Sequence, residues 1–309
     1  MPALICDICG GRLKMGKGKI AICESCGMEH SVERVREKIQ EVKGTVHVDN
    51  AHLIENFLSM AQDAYSTENY AEAERYCNKV LENDPSHAQA SFLKGKAVGW
   101  QSTISNFRFK ESAICFANAI NFTDDNSGDM LIEISDQFKA FATSLCNLRT
   151  GRFSKWTDQE ESDGFCSDIR EMKAAIDYFT GRTNIKLDKN VIFSNFSFSV
   201  YTTIGIAISN KILLEYYSDR SRNAYNAFVE KTKYCVRVLE ETIVLCDDDD
   251  ASDANLFELI VTMLQRVLDN NSSDYIGNRW GAYTEQPRLS SSEKSDIESK
   301  IRKCKTKKL

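Results

Sequence analysis

Beyond residue 50 the chain repeatedly sets apolar residues three and four positions apart with polar residues between them. Met130–Leu148 puts Leu131, Ile134, Phe138, Phe141, Ala142 and Leu145 on one stripe, and residues 167–180, 222–246 and 254–269 keep the same spacing. Each is predicted to be an amphipathic helix with one buried face. Residues 32–43 show a shorter version, with Val32, Val35, Ile39 and Val42 on one face among six charged neighbours. Ser31 reads as its N-cap and Gly44 as its stop. That stripe is expected to dock either on the next domain or on a second copy of the chain, a homo-oligomer through this helix. Nearer the start, Leu13 and Met15 precede Gly16-Lys17-Gly18-Lys19, and Ile20 and Ile22 follow it. The pattern predicts a β-hairpin with a glycine-rich tip. Residues 150–166 break the helical period and predict a polar, mobile connection. The expected fold class is mainly α, with a small β-hairpin module at the N-terminus.

Composition sharpens this picture. A length of 309 residues suggests two or three domains. Only 3 prolines and 15 glycines serve the whole chain, which argues against an all-β sandwich with many tight turns. Apolar residues at 42% and charged residues at 27% are globular proportions and exclude wholesale disorder. With 39 Lys/Arg against 45 Asp/Glu, the net charge is −6, so the molecule as a whole is not a polyanion binder. The longest apolar stretch, Val191–Leu214, carries Ser194, Asn195, Ser197, Ser199, Thr202, Thr203, Ser209 and Asn210. Those hydroxyls and amides predict a buried core helix rather than a membrane span. Met1–Cys6 lacks a basic region followed by an apolar one, so no secretory signal is read and a cytoplasmic protein is expected.

Four of the eleven cysteines form a pattern: Cys6-Asp7-Ile8-Cys9-Gly10 and Cys23-Glu24-Ser25-Cys26-Gly27, a C-x2-C-x13-C-x2-C spacing. Two intervening residues let both sulfurs of a tight turn reach one ion at about 2.3 Å. The glycine after each pair suits the unusual dihedrals where the chain turns away beneath the metal. Residues 1–31 resemble a zinc ribbon. Cys6, Cys9, Cys23 and Cys26 are therefore the expected ligands of one Zn2+. Four thiolates close the tetrahedron and leave no open position for a reacting water, so the ion is expected to be structural. His30, four residues past Cys26, is read as a surface residue. A redox dithiol is disfavoured because the βαβ context of thioredoxin-like motifs is missing. The other seven cysteines (77, 115, 146, 166, 235, 246 and 304) are scattered and are read mostly as small core residues.

Internal similarity links residues 73–84 (AERYCNKVLEND) to 113–124 (AICFANAINFTD). Phe57, Ala61 and Tyr65 precede the first segment, Tyr70, Ala73, Cys77 and Val80 fall at the turn and second helix, and Pro85 closes the unit. This resembles a tetratricopeptide repeat, two antiparallel helices meeting at small and aromatic positions. Phe57 to Phe92 spans 35 residues but Ala73 to Ala113 spans 40, so about five extra residues lie around Gln101–Asn106. A longer turn or a longer first helix would absorb them. The resemblance implies a peptide ligand lying in a groove formed by the first helices. By position it points to Gln62 and Tyr65 in the first unit and to Lys96 and Trp100 in the second. Packing against the extra segment is an equally good role for Trp100. The family's carboxylate clamp is not matched by Leu58 and Gln62.

The expected organisation is a zinc ribbon over 1–31, a connecting helix and linker over 32–48, and tetratricopeptide-like hairpins over 49–125. Degenerate helical hairpins follow over 126–288, then a basic tail over 289–309. The run Asp247–Asp250 fails as a calcium loop, because Ala251 and Ser252 stand where a ligand and a glycine belong. It reads as a solvated loop, with Ser252 capping the next helix. Six of the last ten residues are basic, which reads as a frayed, solvated helix end. None of the four histidines (30, 47, 52, 87) stands in a nucleophile–base or metal arrangement, and no catalytic constellation is seen. The preferred reading is a non-enzymatic, protein-binding adaptor with a structural zinc site. The alternative is a nucleic-acid-associated regulator that uses the ribbon and the basic tail. Against it, residues 1–44 hold eight Lys/Arg and six Asp/Glu, and no aromatic residue precedes Phe57 as a stacking platform. A third reading is an enzyme whose site lies in the later helices.

Overall fold

The computed structural model describes residues 6, 12–15, 20–31, 51–123, 127–246, 251–277 and 283–307. The hairpin tip 16–19, the connecting segment 32–48, Cys9 and Asp247–Asp250 lie outside the described residues. So does the side chain of His30. The chain divides into an N-terminal unit, 1–52, and a helical unit, 53–309.

The N-terminal unit holds a three-stranded antiparallel sheet in the order β1-β2-β3, made of Leu13–Met15, Ile20–Cys23 and Glu29–Ser31. The first two strands are the expected hairpin, paired Leu13↔Cys23 and Met15↔Ala21. The third was not expected. It pairs Ala21↔His30 and Ile22↔Glu29, folding the chain back just after the second cysteine pair.

The helical unit starts with two hairpins: α1 (Ala51–Ser66) with α2 (Tyr70–Asn83), and α3 (Ala88–Trp100) with α4 (Phe109–Asn121). Ala61 and Ala73 are fully buried, so α1 and α2 come close without a side chain in the way. Asn69 starts α2 by accepting from the Glu72 amide. The second hairpin is tighter still. A Cβ on Gly95 would stand 2.6 Å from the Phe116 ring, and the helix that follows the hairpin comes as close to it, a Cβ on Gly99 standing 2.2 Å from Phe141. The extra residues of the second hairpin lengthen its turn. Residues 101–108 join α3 to α4, where residues 67–69 join α1 to α2. That long turn is fastened to α2, since Arg108 makes two hydrogen bonds of 2.7 and 2.8 Å to Glu74, which also accepts from Gln101. Arg108 holds the Glu74 carboxyl below its usual range.

Next come α5 (Ser127–Lys155), α6 (Gln159–Thr183), α7 (Lys189–Asp219), α8 (Arg222–Cys246) and α9 (Ala251–Asp269). The helices form two rows, with α3, α5 and α7 packing in sequence along one and α4, α6 and α8 along the other. A continuous aromatic core runs between them. Phe138 meets Phe109 at 5.2 Å, Phe116 at 5.2 Å and Phe179 at 6.0 Å. Residues 201–208 of α7 form a π-helical turn.

Three expectations need correction. Residues 150–166 are helical except for 156–158, with Phe153, Phe165 and Cys166 fully buried. Asp158 caps α6 by accepting from the Glu161 amide at 3.0 Å. Nearby, Arg149, Asp168 and Glu161 form a buried ion cluster, with Arg149 Nε 2.7 Å from Asp168 and Arg152 engaging Glu161. The polar residues of this segment thus hold two helices together. Second, residues 273–287 are not helical. They form an antiparallel hairpin, β4 (Ser273–Gly277) and β5 (Tyr283–Pro287), whose base is gripped where Arg222 and Arg288 both bond Asp274. Third, the basic tail is α10 (Ser291–Lys307), docked on α9 through buried Ile297, Ile301 and Cys304. The Ser290 hydroxyl and the Glu293 carboxylate cap each other's amides at 3.2 and 2.9 Å. Ser252 lies within α9, which begins at Ala251, rather than before it.

The predicted core helix Val191–Leu214 is the middle of α7. It is buried along one face by Ile192, Phe193, Phe196, Val200, Ile204, Ile208 and Ile212 and exposed along the other. By length and composition α7 is also able to cross a membrane, as is the core helix of many folded proteins.

Candidate functional site

Among the described residues, the predicted site residues gather in two places, one in each unit. In the N-terminal unit, β2 ends at Cys23 and the chain turns through Cys26 to Gly27, whose φ of +73° is the left-handed conformation expected of that glycine. The turn is closed by the backbone. The Gly27 amide donates to the Cys23 carbonyl at 2.9 Å and the Cys23 amide to the Met28 carbonyl at 3.0 Å. The Glu24 amide donates to Arg12, tying this knuckle to the start of β1. Cys6 is delivered to the same point from the other side.

The sulfurs of Cys6, Cys23 and Cys26 all lie within 4.8 Å of one another, close enough to bind one metal ion. Cys6 and Cys26 are 3.8 Å apart. Sulfurs held tetrahedrally at about 2.3 Å from one ion stand about 3.8 Å from each other, so the cluster already has the dimensions of a thiolate metal site. Cys6 and Cys23 are buried and Cys26 is exposed. Cys9 lies outside the described residues.

In the helical unit, α1 and α3 bring together three of the four predicted groove residues. Burial pushes the Tyr65 phenol upward in pKa, with the Trp100 side chain beside it pulling the other way. Tyr70 joins them, its ring 5.4 Å from Tyr65 and stacked 6.2 Å from Trp100. The Lys96 ammonium sits 4.8 Å from the Tyr65 ring centre and 5.0 Å from that of Phe92, within cation–π range. Its charge is met by Glu133 of α5 at 2.6 Å. The Lys96 ammonium is therefore already paired within the protein. Gln62 is exposed one turn before Tyr65.

Trp100 is half-buried. One edge packs on Phe141 at 5.1 Å, near perpendicular, while the ring remains part-exposed at a narrow crevice lined by Phe107, Ser144 and Leu148. Tyr70, Glu133 and Phe141 were not expected at this site. Tyr70 is predicted at the turn and Phe141 on the buried stripe of residues 130–148, whereas Glu133 lies off that stripe. A larger cavity, about 280 Å³, lies between α7 and the ends of α8 and α9, walled by Asn190, Ser194, Phe198, Tyr201 and Asn255. No protein-family model matches the chain, and no curated protein matches it in sequence.

Proposed function

We propose that this protein is a non-enzymatic adaptor, in which a structural zinc site shapes the N-terminal unit and the helical unit binds a protein or peptide. The reading rests chiefly on one observation. Tyr65, Lys96 and Trp100, far apart in sequence, form a single half-buried aromatic cluster on the row of first helices, with Gln62 exposed beside it. Aromatic side chains held rigid by their neighbours offer large contact area at low entropic cost, which is the usual chemistry of protein-binding hot spots. Because Glu133 neutralises Lys96, the ligand is recognised through apolar and hydrogen-bonding contacts rather than through a terminal carboxylate.

Zinc is the ion proposed for the N-terminal cluster, with Cys9 as the fourth ligand. The C-x2-C partner of Cys6 is the residue that the spacing supplies, and an all-thiolate set suits zinc. Such a site contributes on the order of 10–16 kcal/mol to a unit too small to hold itself together. The cytoplasm, where thiols stay reduced, is the compartment that fits this role.

The test uses the full chain as bait in native cytoplasm, followed by titration of the purified partner. Gln62→Ala and Tyr65→Ala are expected to weaken binding at least tenfold with the circular dichroism unchanged, and binding should persist at about 150 mM salt. The competing nucleic-acid reading predicts a steep loss of affinity for random nucleic acid between about 50 and 200 mM salt. Micromolar binding to such nucleic acid at 150 mM salt, lost on reversing the exposed charges Arg302, Lys303 and Lys305, would replace the adaptor reading. Charge reversal is preferable to truncation because Ile301 and Cys304 are buried.

A further inference from the structure

Of the ten cysteines among the described residues, nine are buried and Cys26 is exposed. A dissolved oxidant therefore meets one of these sulfurs before the others. In the helical unit burial also keeps the thiols protonated, with Cys77, Cys146 and Cys235 pushed up to about 12, and a protonated thiol is a poor nucleophile. Sulfurs that ligate a dication do so as thiolates, whatever their burial. Cys26 thus unites the two conditions that select a cysteine for oxidation, thiolate character and access to solvent. A reversible reaction needs a third, a second sulfur poised to resolve the first product. Cys6 meets it, with a buried sulfur 3.8 Å from that of Cys26.

We propose, on the zinc reading above, that Cys26 is a site of oxidation by hydrogen peroxide, resolved by Cys6 with loss of the metal. The Cys26 thiolate attacks one peroxide oxygen, and the O–O bond breaks to leave a sulfenic acid and hydroxide. The Cys6 thiolate then attacks the Cys26 sulfur, forming the S–S bond and displacing a second hydroxide. Two protons from solvent turn the hydroxides to water, and the two electrons lost by the sulfurs are those the peroxide gains. The disulfide withdraws two of four thiolates from the ion, and a zinc site so depleted releases it. Cys23 is the competing resolver. It ends β2 in register with Leu13, and its amide and carbonyl close the turn to Met28 and Gly27, so drawing its sulfur onto Cys26 works against both. Cys6 belongs to no strand and is free of that restraint. A unit this small depends on its metal, so the reaction converts a peroxide signal into unfolding of the N-terminal unit. An exposed disulfide of this kind is readily reduced, which makes the change reversible.

Treating the full, zinc-loaded chain with one equivalent of hydrogen peroxide tests this. Zinc release is followed with a chromogenic chelator, and disulfides are mapped by peptide mass spectrometry after alkylation. The expected result is one zinc lost per disulfide formed, with Cys6–Cys26 the first disulfide to appear and the helical circular dichroism retained. Dimedone added with the peroxide should trap the sulfenic acid on Cys26, and dithiothreitol with added zinc should restore the starting state. A first disulfide between Cys23 and Cys26, a dimedone adduct that appears first on another cysteine, or a disulfide formed without loss of zinc would each overturn the proposal. A chain that holds no zinc before peroxide is added overturns both this proposal and the zinc reading. A zinc-loaded chain whose Cys26 resists peroxide overturns this proposal alone.

Discussion

Replacing Arg149 with leucine is expected to cost the helical unit about 3–5 kcal/mol. The side chains of Arg149, Asp168 and Glu161 are only 7%, 8% and 7% exposed. Arg149 Nε lies 2.7 Å from Asp168, and the Nη1 of the same guanidinium is 3.7 Å from Glu161 Oε2, an oxygen with no hydrogen-bond donor. Arg152 still engages Glu161 in the variant, so Asp168 bears most of the loss. A kilocalorie shifts the melting temperature of a unit this size by about 2–4 °C, giving an expected fall of about 6–20 °C. Adding Asp168→Leu should recover most of it, because the uncompensated charge rather than the missing attraction is the main cost. The acid side offers an independent check. Burial already pushes the Asp168 carboxyl above its ordinary value, against the opposing pull of Arg149. Without the guanidinium it rises further. A folded-state pKa above the unfolded one gives stability that is full below the unfolded value and is lost as pH rises through the folded one. Relative to wild type, the single variant should therefore regain stability between pH 7 and pH 5. Thermal melts followed by circular dichroism at both pH values decide it. A melting point within about 2 °C of wild type, no recovery in acid, or a double variant no better than the single would refute the reasoning.

The purified chain should carry one zinc by plasma mass spectrometry, and Cys6→Ser or Cys23→Ser should abolish it while leaving the helical signal; loss of global helicity on chelation would contradict the separateness of the two units. Tyr225→Phe removes a buried hydrogen bond of 2.8 Å to the Val267 carbonyl and should lower the urea midpoint by the equivalent of about 1–2 kcal/mol; an unchanged midpoint would mean that another donor takes over that carbonyl. Under native conditions at about pH 8, iodoacetamide should leave Cys77, Cys146 and Cys235 unmodified until the unit unfolds, and peptide mass spectrometry showing rapid labelling of any of them would contradict their burial.

Helices with a single buried face were legible in the sequence because their period is a local signal. Arg222–Cys246 matches its predicted bounds at both ends. The first repeat-like hairpin was legible for the same reason, down to the small residues at Ala61 and Ala73. What escaped was polar structure that tertiary contact makes necessary. Residues 150–166 look like a linker because the run from Thr157 to Gly164 is polar throughout, and nothing local reveals that Glu161 is met inside the protein by Arg149 and Arg152. Even so, Asp158 followed by Glu161, and Ser290 followed by Glu293, are helix-start signatures that mark α6 and α10. The β4–β5 hairpin had weaker cues, Tyr275-Ile276-Gly277 and a second tyrosine at 283. Its anchor, Asp274 between two arginines, joins positions 52 and 14 residues apart. At the aromatic cluster, position in a resembled repeat found Tyr65, Lys96 and Trp100, but not Glu133. That carboxylate lies 37 residues from Lys96 and changes what the lysine can bind.

The cysteines show how far burial alone determines chemistry. In the helical unit all seven are buried, and desolvation lifts the thiols of Cys77, Cys146 and Cys235 to about 12 and those of Cys115 and Cys166 to about 11. At neutral pH a thiol of pKa 12 is ionised about one part in 10⁵, so these side chains act as small apolar groups and neither attack nor ligate. Cys6 and Cys23 are buried to the same degree, at 2% and 1% exposure. Their surroundings differ in gathering three sulfurs within 4.8 Å of one another. Neutral thiols gain little from such crowding, whereas thiolates around a dication gain the whole attraction of the ion, which reverses the effect of burial on their ionisation. It is therefore the convergence of three sulfurs, brought about in part by the Cys23–Cys26 turn, and not exposure, that sets this cluster apart from the core thiols.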